Sequence, residues 1–146
     1  MPISLRTERF NPYDELQYYQ AHKMNQAGQY GATVCFLGTM RDFNAGRTVR
    51  KMNLEYYPAM TERHLEEIIG EARKRWNLID ALVIHRVGEV FPNDPIVLVA
   101  IWSSHRGAAF DACRYILEEL KSRAPFWKKE TLPQGERWVE QNTDGY

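Results

Sequence analysis

The sequence carries no excess of charge of either sign. Its 19 Lys and Arg balance 19 Asp and Glu, for a formal net charge of zero. A general nucleic-acid binder or membrane-surface protein shows a basic excess, so the balance argues against both. Any anion site must then be a local concentration of cations. Cysteine is scarce: Cys35 and Cys113 stand far apart with no CxxC, the pattern of a reduced, cytoplasmic protein. Long apolar runs are missing, and the longest, 96–102, is too short to span a bilayer. Residues 1–10 carry Arg6, Glu8 and Arg9 where a signal peptide would have its apolar segment. No His, Cys, Asp or Glu spacing resembles a metal site, so no metal is expected. GxSxG, P-loop and GxGxxG motifs are absent. No repeat, low-complexity stretch or linker divides the chain, so residues 1–146 read as one domain. A hydrophobic content of 44%, with 12% aromatics, is enough for a core and argues against disorder.

What is present reads as alternating strands and helices. Ile3 to Glu8 alternates apolar and polar, as a short strand does. Asn11 followed by Pro12 is a helix start, with Asn as N-cap and acids in the first turn. That helix is predicted to run to Ala27, ended by Gly28. Gly31 to Thr39 reads as a buried strand, residues 42–46 as a loop, and Val49 to Tyr57 as a strand with Met52, Leu54 and Tyr56 on one face. Pro58 opens a second helix with Leu65, Ile68, Ile69, Ala72 and Trp76 at helical spacing. Two strands, Ala81 to Val87 and Ile96 to Ser103, are joined by a turn at 92–95. A third helix, Gly107 to Lys121, is predicted to bury Phe110, Cys113, Ile116, Leu117 and Leu120. Two closing strands follow, Phe126 to Thr131 and Arg137 to Glu140. The order predicts an α+β fold, an antiparallel or mixed sheet with helices on one side.

Three places concentrate chemistry. Residues 121–130 put Lys121, Arg123, Lys128 and Lys129 around Phe126 and Trp127. A lysine crowded by cations and shielded by rings can lose its proton near neutral pH and serve as acid, base or nucleophile. The same cluster could simply hold an anion, and cations at a helix C-terminus also complement its dipole. Thr39, Met40 and Arg41 close a strand ahead of a Gly-containing loop, although Asp42 could merely pair with Arg41. Ser104, His105, Arg106 and Gly107 precede the third helix, where free N–H groups seat anions; the plainer alternative is Ser104 as an N-cap. His22, His64 and His85 carry no evident role, and both cysteines read as inert core thiols. Together the cations and aromatics suggest a pocket for a phosphorylated, ring-containing anion.

The chain resembles the family of large, catalytic subunits of molybdopterin synthase over nearly its whole length. The resemblance is carried by Gly38-Thr39-Met40-Arg41 with Asn44 and Gly46, by residues 54–61 (LEYYPAMT), by residues 84–89 (IHRVGE), and by Ser104-His105-Arg106. Above all it is carried by residues 121–128 (KSRAPFWK) with the trailing 135–140 (GERWVE). It implies an α/β hammerhead fold with an additional antiparallel β subdomain. It implies a sulfur transfer to cyclic pyranopterin monophosphate that makes the molybdopterin dithiolene. The sulfur donor would be the C-terminal Gly-Gly thiocarboxylate of a small ubiquitin-like subunit, and two large subunits would form a homodimer within a heterotetramer. By motif match it places Thr39, Met40, Arg41, His105, Arg106, Lys121, Lys128, Lys129 and Glu130 at the substrate, with Lys121 and Lys128 catalytic. No redox cofactor is expected, since the sulfur arrives activated. Some family members carry an arginine where this chain has Gln141-Asn142. A rival reading is a non-catalytic, ferredoxin-like module binding a phosphorylated metabolite, which would use the arginines without needing Lys121. A single-strand nucleic-acid binder using tryptophans and lysines is opposed by the charge balance.

Overall fold

A computed structural model describes residues 3–44, 47–123, 126–133 and 135–139, with the side chains of Phe43, Asn44, Arg47, Trp127, Lys128 and Lys129 outside that description. In chain order the elements are β1 (Ile3–Arg6), α1 (Pro12–His22), β2 (Ala32–Thr39), β3 (Phe43–Asn44), β4 (Arg47–Thr48), β5 (Lys51–Tyr56) and α2 (Pro58–Trp76). Then come β6 (Asp80–Arg86), β7 (Gly88–Val90), β8 (Pro95–Ser103), α3 (Arg106–Arg123), β9 (Phe126–Leu132) and β10 (Gly135–Trp138). The predicted loop at 42–46 contains half of the β3–β4 hairpin. Ala45 and Gly46 lie outside the described residues, as do Pro125 and Glu140.

Two four-stranded sheets carry the fold. The first has the order β1-β6-β8-β2 and the second β10-β9-β5-β7. In the first, β1 runs parallel to β6, and β8 is antiparallel to both β6 and β2. Every residue of β6 is buried and almost every one of β8, because each face of this sheet has its own cover. On one face Ala81, Val83, Val99 and Ile101 pack against Leu65, Ile68, Ile69 and Ala72 of α2 and against Ala109, Cys113, Ile116 and Leu120 of α3. On the other, Leu82, Ile84, Leu98, Ala100 and Trp102 pack against Phe10, with Leu16 and Tyr19 of α1 alongside. The helices therefore lie on both faces, which corrects the expectation of one. The α1 stripe is short and half-exposed, so its spacing gave no sign of a partner.

Local signals set the helix starts. The Asn11 side chain accepts from the N–H of Tyr13 (3.0 Å) and of Asp14 (3.3 Å), satisfying two amides of the first turn. The helix stops at His22 rather than Ala27, and Gly28 (φ +84°) lies in the turn beyond. Asp80 ties three elements together: it accepts from Tyr19 Oη (3.0 Å) and Arg73 Nη2 (2.8 Å), and Tyr19 stacks on Trp102. Burial and the Asp80 carboxylate push the Tyr19 hydroxyl up to about 12.

Two further expectations are overturned. β2 is an edge strand, and Cys35 and Phe36 are exposed. An apolar strand reads as buried whether or not a neighbour covers it. Phe110 is 62% exposed, since α3 buries Ala109 and Ala112 in its first turns and Phe110 falls off that stripe. The turn expected at 92–95 is present, and ahead of it residues 88–90 form β7, which leaves the first sheet to pair with β5 of the second. Gly88 (φ +79°) makes that departure possible.

Candidate active site

The second sheet sits at one end of the first. Met40, Val49, Met52, Leu54, Val90 and Leu132 form its core, and Ile96 packs against both this core and that of α2 and α3. β2 delivers Thr39 to this end, opposite Pro95, while Ala32 lies opposite Ser103 at the other end, about 23 Å away at the usual strand rise. α3 begins just beyond Ser103 and packs along β8 and β2, so its C-terminus returns to the Thr39 end. Phe126 confirms the return: its ring stacks on buried His85 at 4.1 Å between centroids, and His85 pairs with Val97 of β8. The His85 Nδ1 donates to the Arg86 carbonyl (2.6 Å).

The expected site residues thus fall at two poles. Thr39, Met40, Arg41 and Lys121 share one pole with β9, whose backbone places Lys128 opposite Leu54 and Lys129 opposite Asn53 and Trp138. His105 and Arg106 occupy the other pole, at the start of α3. From Arg106 to Lys121 the helix rises about 22 Å. Thr39, Arg41, His105, Arg106 and Lys121 are all exposed.

Two of the expected contacts are built into the protein instead of facing solvent. Met40 is buried in the core of the second sheet, its N–H donating to the Asp94 carbonyl (3.0 Å) and its carbonyl accepting from Asn93 (2.9 Å). Glu130, 4% exposed, accepts from Arg137 Nε of the neighbouring strand (2.9 Å). Both shape the pole from inside. Ser104 is exposed, and the Ser103 hydroxyl accepts from the His105 N–H (3.4 Å). Gly31 lets the chain pass that corner: a Cβ there would stand 2.6 Å from the Ser104 carbonyl oxygen.

Arg123, one of the four cations expected around the rings, is turned elsewhere. Its Nη2 donates to Glu71 of α2 (2.7 Å), and its Nε forms an ion pair with Glu119 (2.5 Å). Glu71 also accepts from Tyr115 (2.6 Å). These bonds, Tyr115 first and then Arg123, hold the Glu71 carboxyl below the usual range. Sequence reading passed over Glu71 because nothing in its local pattern separates it from other solvent-facing acids of α2. The segment 84–89 proves to be the β6–β7 corner, where Arg86, with a side chain only 7% exposed, donates to the Glu89 carbonyl (2.7 Å) and lies 3.5 Å from Asp94.

The cysteines divide. Cys113 is buried, and burial, with a smaller contribution from Cys35, pushes its thiol up to about 11. Cys35 is exposed, correcting its reading as a core thiol, and partial burial still raises its pKa. For Cys113 the folded state favours the neutral thiol. Its contribution to stability is therefore present below the ordinary thiol pKa and lost as pH rises through about 11. In the native protein at pH 8, Cys113 should resist iodoacetamide and react readily once the chain is unfolded, as read by peptide mass. Ready native alkylation would place it outside the core.

Among the described residues no group of His, Cys, Asp and Glu is arranged to hold a metal ion, and no helix is long and apolar enough to cross a membrane. Residues 10–123 match the family described as "MoaE protein". The chain is 59% identical to a molybdopterin synthase catalytic subunit of Ralstonia nicotianae over 77% of its own length and 64% of that protein's. It is 47% identical to the subunit of the same name from Pseudomonas aeruginosa, over 96% of this chain and 91% of that one. Its fold matches the solved structure of the molybdopterin biosynthesis MoaE protein from Burkholderia ambifaria MC40-6 with a TM-score of 0.79, at 46% identity, covering 98% of this chain and 92% of that chain. On these grounds the chain belongs to the MoaE family, the molybdopterin synthase catalytic subunits.

Proposed function

We propose that this protein transfers sulfur from the C-terminal thiocarboxylate of a small ubiquitin-like subunit to cyclic pyranopterin monophosphate, forming the dithiolene of molybdopterin in the cytoplasm. The observation that carries this reading is the gathering of Thr39, Arg41, Lys121 and β9 at one pole of a chain whose relatives are synthase catalytic subunits. Lys121 and Lys128 are the catalytic residues. Attack of the thiocarboxylate sulfur on a ring carbon forms a C–S bond and expels an oxygen leaving group; water then cleaves the resulting thioester, leaving the sulfur on the pterin and a carboxylate on the partner's tail, and a second thiocarboxylate delivers the second sulfur. Lys121 supplies and removes the protons. Lys128 and Lys129 hold the anionic tail of the partner, while Met40 and Glu130 shape the pole from within. Arg41 and Arg106 hold the substrate phosphate, with His105 and the α3 N-terminus beside Arg106.

One pterin cannot touch both poles of one chain. The site is therefore shared across a homodimer, each site taking Arg106 from one protomer and Lys121 from the other, within a heterotetramer that includes two small subunits.

The direct test supplies the purified protein with the pterin and a thiocarboxylated small subunit, and reads dithiolene product. Product should form, and deleting the partner's last two glycines should abolish it. Sulfur delivery by the truncated partner would refute the mechanism. Arg41→Ala and Arg106→Ala should each weaken pterin binding by about 1.5–3 kcal/mol, the scale of a lost charged hydrogen bond, as read by calorimetry. Unchanged affinity in both would remove them from the site.

A further inference from the structure

We infer that Arg123 and Glu71 are positioning residues for Lys121, a clamp between α2 and α3 that fixes the helix turn carrying it. The inference rests on the role proposed for Lys121 and extends it.

Arg123 is the last residue of α3 and is held from both ends. Its guanidinium donates to Glu71 and is ion-paired with Glu119, and its carbonyl accepts from Nδ1 of His64 on α2 (3.2 Å). Tyr115, two turns earlier, donates to the same Glu71 oxygen. The closing carbonyls of a helix have no partners within it, so a helix end frays unless something outside holds it. Here α2 provides the hold.

Helical geometry connects the clamp to the lysine. Successive residues turn by about 100°. Measured from buried Leu120, Lys121 lies about 100° to one side and Arg123 about 60° to the other. Tyr115 and Glu119 share the Arg123 side, which faces α2. α3 lies between α2 and β2, so the Lys121 side is the one toward β2, whose end carries Thr39 and Arg41. Rotation of the last turn would swing Lys121 relative to those residues.

The pair contributes little to folding, because the Arg123 and Glu71 side chains are 41% and 50% exposed and exposed ion pairs are weak. Catalysis is far more sensitive to placement, where a shift of about 1 Å can cost about a hundredfold. The clamp should therefore matter to turnover and hardly at all to melting.

The experiment compares Glu71→Gln, Arg123→Gln and the double variant, assayed with saturating pterin and thiocarboxylated small subunit. Each single change should lower kcat about tenfold, with KM for the pterin within about twofold and Tm within about 2 °C of the parent. The double variant should be no slower than the singles, because the two residues act as one unit. Glu118→Gln, which breaks the neighbouring Arg114–Glu118 pair (2.9 Å) without touching α2, should leave kcat unchanged. Full kcat in Arg123→Gln, a loss that multiplies in the double variant, or a loss that tracks Tm would each overturn the clamp. Lys121→Ala run alongside separates the two ideas. If it is inactive while Arg123→Gln is fully active, only the clamp fails; if Lys121→Ala is itself fully active, the role of Lys121 fails and the clamp with it.

Discussion

Lys121→Ala should lower turnover by about a hundredfold or more, the scale of a lost general acid or base, and leave the fold intact. The side chain is exposed at the end of α3, while the turn beneath it is anchored by Leu120 in the core and by Arg123 on α2. Truncation of this exposed side chain beyond Cβ thus opens no core cavity, and Tm should stay within the range of ordinary surface changes. The measurement is single-turnover formation of dithiolene with preloaded partner, which isolates the chemical step from product release. A near-normal rate in the folded variant would refute the catalytic role. It would favour instead a module that binds the phosphorylated ligand through its arginines without reacting with it.

Inactive parents should regain activity when mixed. Lys121 and Arg106 mark the two ends of α3, about 22 Å apart along its axis, and their side chains project sideways from that axis. In the proposed dimer, two-fold symmetry would bring the helix start of one protomer to the helix end of the other. In a mixed dimer of Lys121→Ala and Arg106→Ala chains, one site then carries both lesions and the other carries neither. With substrate well below KM, both parents turn over poorly, the first for want of proton transfer and the second for want of binding. Random subunit exchange makes half the dimers mixed, with one intact site in two, so activity should return to about a quarter of the unsubstituted protein's. Mixed dimers, verified by differential tags, that stay as slow as the parents would overturn the shared site.

The local chemistry of this chain was legible in its sequence wherever the deciding signal lies within a turn or two. Asn11 and Pro12 announce the start of α1, and the spacing of Leu65, Ile68, Ile69 and Ala72 announces the buried face of α2. Motifs of successive residues pointed to the family before any geometry was known. The residues that depend on distant partners were not legible. An apolar strand such as β2 looks alike whether it is central or at an edge, and only the sheet order exposes Cys35 and Phe36. Phe110 falls at helical spacing with Cys113 and Leu117, yet the smaller Ala109 and Ala112 fit the close approach of α3 to its sheet. Arg123 reads as one more cation of a cluster until α2 brings Glu71 beside it, and Glu130 reads as exposed until β10 brings Arg137. Side-chain period and capping are local interactions and are written in neighbouring residues. Pairing across a sheet or between helices joins residues several to tens of positions apart, so the tertiary structure alone decides which charges meet across elements, as Arg123 meets Glu71 and Arg137 meets Glu130.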